Sequence, residues 1–284
     1  MIPDQRTSAP GAMSIVPTHS ERCPICTGPR RVRFQARLLN RHDVRYLYCG
    51  SCGLLQTEAP YWFDEAYSTA IVDSDTGLLS RNLNIAVRLA SLVYFCFDPK
   101  ARYLDFAGGY GVLTRLMRDR GFDFYWQDPY CKNVFARGFE WENVKGETSS
   151  GGVTAFEVLE HVPDPLGFVR SALEQARTSN LIFSTLLYEG EPPAPEKWWY
   201  YALETGQHIS FFRRDTLITL ANKLGLHLHT NGWLHVLTAE EINPVRFRFC
   251  SSRFARLIGA YVQLRMRSKT FDDHHVIVNR SHRH

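Results

Sequence analysis

Two groups of residues in this sequence have types and spacing suited to chemistry. Cys23, Cys26, Cys49 and Cys52 form two Cys-x2-Cys pairs separated by 22 residues. Two thiolates spaced this way can face one tetrahedral ion from a tight turn. Two such turns complete a four-thiolate zinc site with no open coordination position. Pro24 suits the first turn, and Gly50 and Gly53 the second. The alternatives are two disulfides or free thiols. Disulfides need an oxidising compartment, and MIPDQRTSAPGAMSIVPTHSER has no basic stretch leading into an apolar one. The expectation is reduced thiols in a cytoplasmic protein. The second group is FEVLEH, which places Glu157, Glu160 and His161 within five residues. At a strand end that turns, two carboxylates and an imidazole can gather a divalent ion such as Mg2+, which would lower the pKa of a hydroxyl and orient it. The alternative is that they only cap a turn and a helix. His208, in GQHISFF, is a candidate general base because its reference pKa lies near neutrality.

The elements that must position these groups follow from the hydrophobic pattern. VRFQARLL and DVRYLY, between the cysteine pairs, suit short strands. RNLNIAVRLASLVYF has apolar residues at helical spacing, and Asp98-Pro99 ends that helix. Then comes YLDFAGGYGVLTRL: an apolar run ending in Asp105, a tight turn with Gly108, Gly109 and Gly111, and a helix that stops at Gly121. The next strand, FDFYWQ, ends in Asp128-Pro129. Strand, glycine turn, helix, strand and acidic residue describe a βαβ unit with a nucleotide-type site at the carboxyl edge of a parallel sheet. Asp128 lies 17 residues beyond Gly111, near the interval at which an acidic side chain meets ribose hydroxyls. Further strands, VTAFEVL, NLIFSTLLY and LHLHTNGWLHVLT, alternate with the helices LGFVRSALEQA and RDTLITLANKLG. This is an α/β pattern.

The turn D-F-A-G-G-Y-G, the acidic end of the next strand and FEVLEHVPDP together resemble class I S-adenosylmethionine-dependent methyltransferases, over about residues 100–235. The four-cysteine segment, WFDEAY and GQHISFF extend the resemblance to members with an N-terminal zinc ribbon that modify sugars in bacterial glycan and natural-product pathways. The resemblance implies a Rossmann-like, mostly parallel seven-stranded sheet with helices on both faces. It implies that the backbone of Ala107, Gly108, Gly109 and Gly111 passes the methionine part of S-adenosylmethionine. Asp105 would anchor the turn, and Asp128, followed by Pro129, would receive the ribose hydroxyls. The E-x-x-E-H run is similar to that of ubiquinone-pathway O-methyltransferases and small-RNA 2′-O-methyltransferases. In the latter a later histidine completes a metal site, at about the place of His208. The sequence departs from the family at Ala107 and at Gln207, where glycine and often glutamate stand. WWYY, residues 198–201, is a candidate substrate lid or a packed sheet edge.

The chain has 284 residues, 44% of them apolar, enough for one sizeable core with appendages. No apolar run reaches membrane-spanning length. The expected organisation is a loose tail over 1–20, a zinc ribbon over 21–58, a helical connector over 59–98, a cofactor-binding domain over 99–237 and a basic extension over 238–284. Net charge is +4, but arginines crowd both ends, including Arg246, Arg248, Arg253, Arg256, Arg265 and Arg267. These are solvated faces or a surface for an anionic partner: a nucleotide-linked substrate, a phospholipid or RNA. The favoured acceptor is a sugar hydroxyl of a glycan or nucleotide-linked sugar. The alternatives are RNA docked on the ribbon and arginines, or a zinc-ribbon scaffold without activity.

Overall fold

The structure is a computed structural model and describes residues 22–67, 75–144, 150–252 and 254–281. The expected tail over 1–20, Arg253, and Glu147, Thr148 and Ser149 lie outside the described residues. The chain opens with a hairpin, β1 (Arg30–Leu38) and β2 (His42–Cys49), followed by β3 (Leu55–Thr57). Two helices follow, α1 (Phe63–Ala66) and α2 (Leu78–Cys96). The central unit then runs β4 (Arg102–Phe106), α3 (Val112–Asp119), β5 (Asp123–Gln127), β6 (Gly152–Ala155), α4 (Pro165–Ala176) and β7 (Leu181–Ser184). It continues with β8 (Ser210–Phe211), α5 (Arg214–Leu224), β9 (His227–Thr230) and β10 (Leu234–Thr238). The extension is helical: α6 (Pro244–Ser251), α7 (Ala255–Arg265) and α8 (Thr270–Ser281).

The main sheet has the order β5-β4-β6-β7-β10-β9. Its first four strands are parallel, and β10 runs antiparallel to β7 and β9. Every residue of β6 and β7 is buried, as in a parallel sheet covered on both faces. The expected seventh strand is absent among the described residues, and the sheet has six. Beyond β5 the next segment contributes only one parallel bridge, Glu140 to Trp126. Its backbone is committed to turns instead: Val134 and Phe135 donate to the Tyr110 carbonyl, and Phe139 to that of Ala136.

Two apolar clusters lie on the two faces of the sheet. One joins α4 and α5 to Leu104, Val153, Phe183 and Leu237. The other joins α2, α3, α6 and α7 to Tyr103, Phe124 and Val236. The cysteine end of the N-terminal hairpin is part of the first cluster: Cys23, Ile25, Cys49, Cys52 and Leu54 are all buried in it. β3 also pairs with β8, so the N-terminal sheet takes its last strand from the central unit.

The extension is tied down by a buried ion pair. The Arg118 guanidinium on α3 donates to both carboxylate oxygens of Asp273 on α8, at 2.8 and 2.7 Å, and to Asp123 at 2.9 Å. It also lies 3.7 Å from the Phe139 ring centroid. Removing one partner of such a pair strands a charge away from water. Asp273→Ala is therefore expected to lower stability by about 3 kcal/mol or more, read from the urea midpoint. An unchanged midpoint would show that Arg118 finds water or Asp123 sufficient.

Candidate functional site

The carboxyl ends of β4, β5, β6 and β7 lie side by side, and each releases a segment carrying candidate residues. Asp105, at the end of β4, is buried and accepts hydrogen bonds from Thr114 on α3 at 2.8 Å and Thr154 on β6 at 2.9 Å. Burial raises its pKa to about 6, against the lowering effect of those two hydroxyls. It thus pins the turn to both neighbours. Ala107 has φ 56°, so an alanine stands in the left-handed region where glycine is unstrained. Ala107→Gly is expected to raise stability by about 0.5–1 kcal/mol, checked by thermal melting. A fall would show that the alanine methyl packs.

The glycines divide by environment. A Cβ on Gly108 would come within 2.9 Å of Asp105 and Trp126, and one on Gly111 within 2.8 Å of Asn133. Those two let the turn close. A Cβ on Gly109 would meet nothing within 4 Å, so its open side is room for a ligand rather than for the protein. The Gly109 N–H donates to Asp128 Oδ2 at 2.9 Å, while Asp128 Oδ1 accepts from the backbones of Tyr130 and Cys131. Three of about four acceptor positions of this carboxylate are taken. One acceptor position, on Oδ2, remains. Pro129 follows and completes the turn away from β5.

After β6 the chain turns sharply. Glu157 has φ 56°. Its N–H donates to the Ser184 hydroxyl, which donates back to Glu157 Oε1 at 2.5 Å. Arg81 on α2 lies 3.7 Å from the other carboxylate oxygen. Glu157 is thus held by Ser184 and Arg81, apart from the group that follows. Glu160, His161 and His208 each offer one donor atom within 4.8 Å of the others. Glu160 is fully buried, and neither carboxylate oxygen makes a hydrogen bond of ordinary geometry, although the Tyr200 hydroxyl lies near enough to draw its pKa down. Burial, and then the charge of Glu157, push its pKa up to about 8. His208 Nδ1 lies 2.7 Å from the Tyr200 carbonyl oxygen, and His161 Nδ1 lies 3.1 Å from that of Gln207. A carbonyl only accepts, so His208 carries its proton on Nδ1 and leaves the Nε2 lone pair free, whereas His161 Nδ1 faces both a carbonyl and the Tyr67 hydroxyl at 2.8 Å. Burial lowers both pKa values, to about 4 for His208 and, with His208 adding, about 3 for His161. Both rings are neutral at pH 7. An imidazole fixed by a carbonyl on one nitrogen and free on the other is the arrangement of metal-bound histidine. The two oxygens of Glu160 suit the same use.

The profile of a methyltransferase-domain family matches residues 81–231. The chain belongs to this family. Its methyltransferase domain therefore contains the glycine turn, Asp128, the Glu157–His161 run and His208. No curated protein matches the chain. Among solved structures, TnmH is similar at 20% identity and TM-score 0.44, over 64% of this chain and 62% of that one. An O-methyltransferase family 2 protein from Planctomyces limnophilus, in complex with apigenin, is similar at 16% and 0.44, over 62% and 61%. The O-methyltransferase NcsB1, with S-adenosyl-L-homocysteine and 1,4-dihydroxy-2-naphthoic acid, is similar at 15% and 0.42, over 62% and 60%. The chain spans about three fifths of the length of these structures.

Two residues that support the methyltransferase domain's candidate site, Trp62 and Tyr67, were seen in the sequence only as part of WFDEAY. Tyr67 at the end of WFDEAY places its hydroxyl 2.8 Å from His161 Nδ1. Trp62 donates to the Gly206 carbonyl and Gln207 to that of Ala66. WFDEAY and GQHISFF therefore hold each other. Tyr200 meets the His208 ring edge to face, with centroids 4.7 Å apart. Of WWYY, Tyr200 and Tyr201 are buried and Trp198 packs against the same cluster, whereas Trp199 is 79% exposed.

The four cysteines also meet. Cys23 and Cys52 sulfurs lie 3.6 Å apart, and those of Cys26 and Cys49 3.4 Å apart, with all four within 4.8 Å. A tetrahedron with metal–sulfur bonds of about 2.3 Å has edges of about 3.8 Å, so the donor set fits zinc. Cys23 is held down to about 5 by the hydrogen bond from Cys52, whose own thiol is pushed up by that bond and by burial.

Proposed function

We propose that this chain transfers the methyl group of S-adenosylmethionine to a sugar hydroxyl of a glycan or nucleotide-linked sugar. Glu160, His161 and His208 would hold a divalent ion, and the four cysteines a structural zinc. The observation that carries the reading is Glu160: a fully buried carboxyl with no hydrogen bond of ordinary geometry, one donor atom of which lies within 4.8 Å of those of two imidazoles. A buried carboxyl of this kind is costly unless something occupies it.

The bound ion would lower the pKa of the acceptor hydroxyl. The chain's own residues do the positioning. Gly109 leaves open space and Asp128 an acceptor position at the end of β5 for the methyl donor's ribose. The acceptor oxygen takes the methyl carbon as the carbon–sulfur bond breaks, and its proton goes to solvent. Trp199 lies one ring beyond Tyr200, at 5.5 Å, and Tyr200 touches His208. Its exposed face suits the apolar face of a sugar ring. Reduced thiols at the ribbon fit a cytoplasmic setting. No helix among the described residues is long and apolar enough to cross a membrane.

Titration of the full chain with S-adenosylhomocysteine tests the donor site. Binding is expected, and Asp128→Ala should weaken it by about tenfold or more. No binding by the unaltered chain would remove the proposal. Turnover on nucleotide sugars and glycans, assayed with and without chelator after zinc is secured, tests the ion. Full turnover in chelator would leave His208 as a general base instead.

A further inference from the structure

From Ile242 to Phe271 the chain contains no acidic residue, while Arg246, Arg248, Arg253, Arg256, Arg265, Arg267 and Lys269 all fall within it. This stretch contains α6 and α7 and lies outside the span matched by the methyltransferase-domain profile. Both helices bury one side: Phe247 and Cys250 of α6 and Ile258 and Val262 of α7 pack onto the second core cluster. Their other side is not the polar face expected of a surface helix. Val245 and Phe249, one turn apart on α6, are 77% and 55% exposed. Leu257, Tyr261 and Leu264, at i, i+4 and i+7 on α7, are 75%, 47% and 87% exposed.

These side chains form a continuous surface. Phe249 stacks on Phe254 at 6.0 Å, and Phe95 of α2 stacks on Tyr261 at 6.2 Å. Phe95 and Phe249 line one depression, and Leu83 and Leu264 line another. Exposed arginines flank the stripe, among them Arg248, Arg256 and Arg265. A stripe of bulky apolar residues bordered by arginine, with no carboxylate in the stretch, has the composition of helices that lie in the lipid interface.

We propose that the α6–α7 face docks on the surface of a bilayer containing anionic phospholipid, with the apolar stripe entering the headgroup boundary and the arginines meeting lipid phosphates. Charge selects this occupant. A second copy of the chain in a two-fold interface would bring one set of cations against the other. Single-stranded nucleic acid would satisfy the arginines and the aromatic rings, but it leaves Val245, Leu257 and Leu264 with nothing apolar to enter. A bilayer satisfies both features at once.

The test is flotation of the full chain with vesicles of phosphatidylcholine alone and of phosphatidylcholine with about one third phosphatidylglycerol, a content chosen to give a strong negative surface potential. Binding is expected to the second and to be at least tenfold weaker to the first. Leu257→Ser with Leu264→Ser, and separately Arg248→Glu with Arg265→Glu, should each reduce binding by about tenfold or more. All four side chains are exposed, so unchanged circular dichroism and melting are expected of both variants. Equal binding to the two vesicle types, no binding to either, or a dimer in solution that the same substitutions dissolve would overturn the proposal. So would retention on RNA without vesicle binding.

Discussion

Glu160→Gln is expected to lower methyl transfer by about 10²- to 10⁴-fold while leaving thermal stability unchanged or slightly raised. The argument rests on the two states of this side chain. Without an ion its pKa is pushed up to about 8, chiefly by burial, so at pH 7 the carboxyl is mostly protonated and an amide of the same shape replaces it at little cost. With an ion the carboxylate is a ligand, and the amide brings no charge. Activity and stability should therefore separate. His208→Ala is expected to fall in the same range. Its companion, Tyr67→Phe, removes only a hydroxyl beside His161 Nδ1 and should lose about 10- to 100-fold in affinity for the activating ion. Rates measured against ion concentration distinguish the two: the first two variants stay slow at saturation, and the third recovers. Full activity in Glu160→Gln would show that this carboxyl holds nothing during turnover.

The second large effect is expected at the cysteines. Cys52→Ala, or removal by a strong chelator of the zinc proposed there, should lower the melting temperature by about 10 °C or more. Each kcal/mol corresponds to about 2–4 °C in a domain of comparable size, and a structural zinc contributes several. The whole chain should melt earlier in one transition, because Cys23, Cys49 and Cys52 share a core with Leu104, Phe183 and Leu237. Activity should fall with it even when Mg2+ is restored. β8 begins at Ser210, two residues beyond His208, and its partner is β3 of the ribbon. Ile209 between them donates to the Glu160 carbonyl and accepts from Thr57 of β3. Losing the ribbon loosens the segment that carries both His208 and the neighbour of Glu160. An early, separate transition with the main one unmoved would show an independent ribbon.

What the sequence displayed and what it concealed differ in range. The glycine turn was legible because β4, the turn, α3 and β5 are consecutive, and local pattern is enough to recognise them. Gly121 ending α3, with φ 93°, is local in the same way. The α/β alternation was legible for the same reason. The seventh strand was not corrected by pattern, because whether Glu140 extends a sheet or makes one bridge depends on where Tyr110 takes its hydrogen bonds. β8, at two residues, is too short to carry any alternation. The Glu160, His161 and His208 residue types were visible in the sequence, but their supports were not. Tyr67 and His161 are 94 residues apart, and the engagement of Glu157 by Ser184 spans 27. WWYY read as either a substrate lid or a packed sheet edge, and the run divides between them: three of its rings pack inward and only Trp199 faces out.

The Arg118–Asp273 pair also sets an order of events during synthesis. Its two members are separated by 155 residues. At ribosomal rates of about 5–20 residues per second, Arg118 leaves the ribosome roughly 8–30 s before Asp273. Through that interval α3 and β5 can pair locally, but the guanidinium between them still lacks its main carboxylate partner. The nascent domain is therefore expected to stay loose at its β5 edge, protease-sensitive and open to chaperones, until Asp273 has been made and can reach Arg118. A helix made long after it, α8, is the one that closes the first βαβ unit.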